Sequence, residues 1–211
     1  MRTIFQPWYY SFLVMLLMPQ VAHAHPHSWI EIKTEIDGNN NEVLGFNMQW
    51  TFDAMTSSYM LDGHDLAPEE KEKSLQLIAD SILNNIFPEH YFTFFYNSDK
   101  TVATNKAINA KLIQNKAKLT LAFYLPLAEP QRAIDTSFKL HIFEPSYYVG
   151  MSWKQKSDIS FAETFQTHCN IELNEPTPTV EQMDFAFALP TDAKPNNSLG
   201  QIFNQTVKLN C

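Results

Sequence analysis

The sequence lacks the short motifs that mark several large enzyme classes. It contains no G-x-S-x-G elbow of a serine hydrolase, no G-K-[ST] of a phosphate-binding loop and no H-E-x-x-H of a zinc protease. Basic residues are also scarce, with 15 Lys and Arg against 23 Asp and Glu. Such an acidic chain suits nucleic acid and anionic lipid poorly, because their phosphates bind clustered Lys and Arg. We therefore predict a protein that is not an enzyme, that binds no nucleic acid and whose charge suits a cationic partner.

No apolar run is long enough to cross a bilayer, which takes about 20 residues. The longest, residues 8–18, has 11 residues and lacks charge. It follows Arg2 and precedes the small-x-small pattern AHA at residues 22–24, an arrangement typical of a cleavable signal peptide. We expect export to the periplasm, removal of residues 1–24 and a mature chain that opens at His25 without membrane insertion. The alternative is an uncleaved anchor helix.

The mature chain, residues 25–211, would have 187 residues, a size that fits one domain. It would carry 14 basic and 23 acidic side chains, a net charge of −9 with histidine neutral. Its cysteines are only two, Cys169 and Cys211. An even count in an exported chain favours a disulfide. The alternative is a pair of soft metal ligands, although neither cysteine has a neighbour at C-x-x-C spacing.

Alternating apolar residues predict a mostly β protein. Residues 28–36 and 43–53 alternate across the turn-forming segment DGNNN at 37–41, which predicts a β-hairpin. Further strands are predicted at 91–96, 107–113, 119–125, 136–143, 168–173 and 206–209, and helices at 54–61, 68–87, 180–189 and 199–203. The predicted fold is a single β-rich α+β domain of antiparallel hairpins or a sandwich-like sheet. It has a helical insertion at about 54–88 and short C-terminal helices.

The candidate chemistry lies at the start of the mature chain. In an extended chain His25, His27 and Glu31 share one face, and Pro26 keeps the segment extended. A turn centred on residue 39 would pair Ile30 with Met48, and would set His25 opposite Asp53 and His27 opposite Thr51. Two imidazoles and a carboxylate form a ligand set suited to zinc, with nickel, cobalt and copper as alternatives. We predict a metal site at His25, His27 and Asp53, with Glu31 as a weaker candidate.

Two other interpretations of these histidines remain open. Histidines at a chain terminus can be solvated without binding metal. A copper brace formed by the free amine, His25 and His27 is also chemically possible. His64, in the acidic loop at residues 61–65 before the longer helix, is a weaker candidate for an auxiliary contact, since the loop departs from the calcium-loop template.

Several segments resemble a family of exported bacterial proteins that includes ZevA-type periplasmic binding subunits of zinc uptake systems. They are the motifs HPHSWI at 25–30, WTFDAM at 50–55 and FEPSYY at 143–148, the isolated Cys169 and the terminal VKLNC at 207–211. The resemblance implies metal delivery to or from a membrane permease of the nickel/cobalt exporter superfamily. Relatives carry an acidic, glycine-rich loop where this chain has residues 61–65. Glu144 stands where aspartate is usual in that family. Because both side chains carry a carboxylate, Glu144 is another weaker ligand candidate.

Two classes of function follow from these observations. The first is a periplasmic zinc-binding accessory subunit of a metal transport system, without enzymatic activity. The second is a structural or interaction module that stabilises a membrane permease and binds no metal.

Overall fold

A computed structural model describes residues 26–39, 41–165, 168–190, 194 and 196–211. The predicted signal peptide, its cleavage site and His25 lie outside these residues. The described strands are β1 Ser28–Asn39, β2 Glu42–Phe52, β3 Thr93–Asn97, β4 Lys100–Val102, β5 Ile108–Asn115, β6 Lys118–Arg132, β7 Ser137–Ile142, β8 Val149–Ser152, β9 Ile159–Phe161, β10 Asn170–Asn174 and β11 Thr206–Asn210. The helices are α1 Ala54–Leu61, α2 Lys71–Ile86, α3 Val180–Phe187 and α4 Asn197–Ile202, with short 3-10 segments at Phe87–Phe92 and Lys156–Asp158.

The strands form two sheets that share one core. The first has the order β5-β6-β2-β1-β8, with β9 also pairing with β1, and the second has the order β10-β11-β7-β3-β4. Buried residues from both sheets belong to one apolar cluster, and Phe46 of β2 meets Phe95 of β3 edge to face at 5.0 Å. Sheets packed through their apolar faces form the sandwich-like arrangement expected from the alternation. The prediction of a β-rich α+β fold is confirmed.

The β1–β2 hairpin keeps the predicted faces but not the predicted register. Ile30 pairs with Phe52 and Ile32 with Trp50, whereas the sequence-based register set Ile30 against Met48. The reason is that β1 continues to Asn39, which pairs with Glu42, so the hairpin reverses later in the chain than a turn centred on residue 39 would. A register irregularity at residues 37–38 adds to the offset. Because the partner moves by an even number of residues, the apolar faces still match.

A bulge in β2 changes one more prediction. Gly38 and Asp37 of β1 pair with Val43 and Gly45 of β2, so that Leu44 is an extra residue in β2. Val43 is fully buried, whereas Leu44 was expected to point inward. From Phe46 onward the alternation follows the predicted faces, with the aromatic and methionine side chains of β2 in the core. The bulge thus reverses one position without changing the rest of the strand.

The helical insertion comprises both predicted helices. In α2 the residues Leu75, Ile78, Ala79 and Leu83 are buried, as their helical spacing predicts. The helix begins at Lys71, after a turn in which the carbonyl of Ala67 accepts hydrogen bonds from the amides of Glu70 and Lys71. The insertion follows β2 directly. Its first helix starts just after the C-terminal end of β2, which lies beside the first residues of β1.

Cys169 and Cys211 form a disulfide, as predicted, and join residues 42 positions apart. Disulfides are typical of proteins exported to oxidising compartments. Within the described part of the chain, no helix is long and apolar enough to cross a membrane.

Candidate functional site

Three distant segments meet where β1 begins. The His27 amide donates to the Tyr148 carbonyl at 2.8 Å, and the Trp29 amide donates to the Asp53 carboxylate at 3.0 Å. Ser28 and Trp29 then pair in parallel with Val149 and Gly150 of β8. We call this region the N-terminal corner and define it as residues 26–31, 53–56 and 144–150. It brings together the three motifs singled out in the sequence.

Asp53 occupies the N-cap position of α1. Its Oδ1 accepts hydrogen bonds from the amides of Met55 and Thr56, both at 2.9 Å. Its Oδ2 accepts from the Trp29 amide, the Thr56 hydroxyl at 2.7 Å and the Ser28 hydroxyl at 3.3 Å. Asp53 therefore joins the start of β1 to the start of the helix that follows β2.

The electrostatics of Asp53 follow from these contacts. Desolvation by partial burial acts to raise its pKa, but the hydrogen bonds from Trp29, Thr56 and Met55 outweigh it and lower the pKa to about 2. The carboxylate is thus ionised at neutral pH. A carboxylate offers roughly four lone-pair positions, and the five hydrogen bonds found here already occupy them.

The corrected register changes which residue lies beside Asp53. The Asp53 amide donates to the Trp29 carbonyl at 3.0 Å, so Trp29 is its neighbour across the hairpin and not His25. Thr51 pairs with Glu31 instead of His27. The expected opposition of His25 to Asp53 and of His27 to Thr51 is therefore wrong in register. Asp53 nevertheless lies beside the first residues of β1, because it accepts hydrogen bonds from Ser28 and Trp29.

His27 is half-buried against the loop that leads into β8. Its ring stacks on that of Tyr148, with 4.7 Å between centroids and 27° between planes. Together with the bond from its amide to the Tyr148 carbonyl, this stack fixes both the backbone and the ring of His27. The position of His25 lies outside the described residues.

Glu144 organises the same loop. Its carboxylate accepts hydrogen bonds from the amide and hydroxyl of Ser146 at 2.8 Å, from the Tyr148 amide at 2.7 Å and from the Val149 amide at 3.3 Å. The contacts of Glu144 therefore hold residues 146–149 in a turn.

A small cavity adjoins the corner. Its volume is about 220 Å³, and Pro26, Trp29, Glu144 and Tyr147 contribute to its wall. Gly150 also lines it, and a Cβ at this position would lie 3.2 Å from both Pro26 and Trp29. A side chain at Gly150 would therefore crowd the first residues of β1 beside β8.

The remaining candidates lie apart from His27 or are engaged elsewhere. Glu31 forms ion pairs with Lys118 at 3.1 Å and Lys154 at 2.9 Å, and these lysines lower its pKa. His64 is exposed in the loop after α1. Among the residues that the structure describes, no three His, Cys, Asp or Glu side chains lie close enough to hold one metal ion.

Sequence patterns did not predict the roles of Tyr148 and Gly150. Strand β8 has only four residues, too few for a clear alternation, and its parallel pairing with β1 depends on tertiary contacts. The available signal was the repeated aromatic pair Tyr147-Tyr148 beside a glycine in an otherwise glycine-poor chain.

Comparison with known proteins assigns the family. The chain belongs to the family described as "Protein of unknown function (DUF1007)", whose match covers residues 10–211. An uncharacterized protein of Haemophilus influenzae is 32% identical over 211 aligned residues, which cover 96% of this chain and 98% of the relative. All three segments of the N-terminal corner lie within the family match.

Proposed function

We propose that this member of the DUF1007 family is a periplasmic zinc-binding accessory subunit that hands metal to or from a membrane permease. The metal would bind at the N-terminal corner. The observation that carries the proposal is the fixed position of His27, whose amide and ring are both held by Tyr148. A histidine held in this way loses little conformational freedom when its ring binds a metal.

Pro26 supports the same proposal. It separates His25 from His27, has no amide proton and fixes its own φ near −65°. The two imidazoles are therefore joined by a stiff linker, and in the processed chain the free amine would lie one residue away from Pro26. Imidazole and amine nitrogens are suitable ligands for zinc, and also for nickel, cobalt and copper.

Asp53 enters the proposal as a residue that positions β1. Its oxygens accept five hydrogen bonds, and zinc would have to displace at least one of them in order to coordinate the carboxylate. We therefore assign the direct contacts to His25, His27 and the amine. The negative charge of Asp53 and the mature net charge of −9 favour a cation near the corner.

The proposal is tested by zinc calorimetry on protein recovered from the periplasmic fraction, after N-terminal sequencing shows whether it begins at His25. We expect one zinc ion per chain, and His25→Ala or His27→Ala should each weaken binding by about tenfold or more. His64→Ala, which removes an exposed histidine on another loop, should change the affinity less than about twofold. If the double variant His25→Ala/His27→Ala binds zinc as tightly as the parent, the proposed site does not exist.

The transport part of the proposal requires a cellular measurement. Loss of the protein should change the zinc content of the cell, and complementation with the double histidine variant should fail to restore it. A fall in cellular zinc would indicate import and a rise would indicate export. An unchanged zinc content under both scarcity and excess would refute the transport role.

A second candidate function, an interaction module without metal, is favoured by the surface of α1. The helix has no charged residue, and it exposes Met55 (68%) and Tyr59 (82%), which are neighbours at the i, i+4 spacing. Exposed apolar residues at one end of a domain can form a protein contact. Complementation distinguishes the two functions, because an interaction module would tolerate the double histidine variant and would lose function in Met55→Ser/Tyr59→Ser.

A further inference from the structure

The loop that holds His27 depends on a single carboxylate. Glu144 receives the amide protons of Ser146, Tyr148 and Val149 and the hydroxyl proton of Ser146. Every one of these partners donates, so the side chain at this position must supply acceptors only. An ionised carboxylate does so on both oxygens, whereas an amide of the same shape would direct an NH2 group at one set of donors.

These bonds fix the two contacts that reach His27. The amide of Tyr148 donates to Glu144 at 2.7 Å. The carbonyl of the same residue accepts a hydrogen bond from the His27 amide at 2.8 Å. The turn also places the Tyr148 ring on the His27 ring at 4.7 Å. Tyr147, the residue before it, adopts a positive φ of 61°, a conformation that a non-glycine residue keeps only when its surroundings hold it.

We infer that Glu144 is a positioning residue for His27 and acts through the Tyr148 carbonyl and ring. The inference rests on the proposed function, since it names what orients the histidine that would bind the metal. It also replaces the expectation of Glu144 as a weaker ligand with a different role. Residues that orient metal ligands affect metal affinity without touching the metal, by roughly 10- to 100-fold.

The first measurement requires no metal. In the processed protein, the ring protons of His27 should show an upfield ring-current shift from Tyr148, and its amide should exchange slowly with solvent. Glu144→Gln should remove most of the ring-current shift and speed exchange of the His27 amide by about tenfold or more, because one acceptor oxygen becomes a donor. Glu144→Asp keeps two acceptor oxygens, and aspartate readily accepts from the amide two residues on, so it should restore both signals at least in part.

A matched variant controls for the general effect of losing a carboxylate. Glu172 lies on β10 in the second sheet, where it accepts from the Asn210 side chain at 3.0 Å. Glu172→Gln should leave the His27 signals unchanged. Far-ultraviolet circular dichroism and the thermal midpoint identify any variant that has failed to fold, and in that case Glu144→Asp carries the comparison.

The second measurement is zinc affinity in the same variants. Glu144→Gln should weaken zinc binding by about tenfold, and Glu144→Asp should bind within about threefold of the parent. If Glu144→Gln leaves the shift and amide exchange of His27 unchanged, the positioning role is refuted, whatever happens to zinc. If those signals are lost while the parent itself binds no zinc, Glu144 positions His27 and the proposed function fails.

Discussion

Removing the Asp53 carboxylate should destabilise the protein in a pH-dependent way. The pKa of Asp53 is about 2, against 3.8 for an unperturbed aspartate. The difference corresponds to about 2.4 kcal/mol in favour of the ionised, folded form, and solvent screening of this partly exposed group reduces it to about 1–2 kcal/mol. Replacement of an N-cap aspartate by alanine costs a similar amount, about 0.5–2 kcal/mol.

We therefore expect Asp53→Ala to lower the free energy of unfolding by about 2 kcal/mol at pH 7. Asp53→Asn should lower it by about 1 kcal/mol, because asparagine is also a good N-cap but replaces the oxygen that serves β1 and the Thr56 hydroxyl with an NH2 group. The folded-state pKa is depressed, so the contribution is fully present above about pH 4. It is lost as the pH falls from about 4 towards 2, where the protonated aspartate resembles asparagine.

Urea unfolding at a series of pH values between 7 and 2.5 measures both effects. Asp99→Asn is a matched control, because Asp99 is 93% exposed and its ion pair with Lys139 lies at the surface. The reasoning is refuted if Asp53→Asn and the parent have the same free energy of unfolding at pH 7. It is also refuted if the difference in free energy between them is the same at pH 2.5 as at pH 7. The first result would mean that the hydrogen bonds to Asp53 contribute nothing to folding, and the second that its contribution does not depend on ionisation. Either result would reopen the assignment of Asp53 as a direct ligand.

Two further predictions concern the rest of the fold. Replacing Cys169 and Cys211 by serine should lower the free energy of unfolding by about 4 kcal/mol, the chain-entropy value for their separation of 42 residues; a loss under about 1 kcal/mol in urea unfolding would contradict it. Burial, and then the charge of Lys139, lower the pKa of His141, whose Nδ1 lies 3.0 Å from the Asn204 side chain. The unfolded chain therefore takes up a proton first, so stability should fall as the pH drops below about 6.5, and this slope should be shallower in His141→Gln.

Much of the fold could be predicted because its strands have one buried face. The alternation along β2 and β6 gives a period of two over many residues, which identifies both the element and its inward side. The spacing of Leu75, Ile78, Ala79 and Leu83 does the same for α2. These patterns are local, so a single sequence contains them.

The short strands and the register could not be predicted in the same way. Strand β4 has three residues, β8 four and β9 three, which is too few for a clear alternation, and β8 and β9 are held by pairing with the distant strand β1. The register of the β1–β2 hairpin depends on where the turn closes within a run of asparagines, and every position in that run accepts a turn. The partners on β2 lie four residues further along the chain than predicted. This even offset kept the faces correct from Phe46 onward, but it placed Trp29 instead of His25 beside Asp53.

Asp53 and His27 are held in place by different parts of the residue. Asp53 has its oxygens committed to five donors, and its charge stabilises the junction of β1 and α1. His27 is held through its amide and the face of its ring, neither of which is a metal-binding atom. Contacts to the backbone amide and the ring face of a histidine orient its ring, and a metal ligand that is oriented beforehand loses less conformational freedom on binding. The carboxylates of the corner, Asp53 and Glu144, thus fix β1 and the loop before β8, and we assign the proposed metal contacts to His25, His27 and the amine of the processed chain.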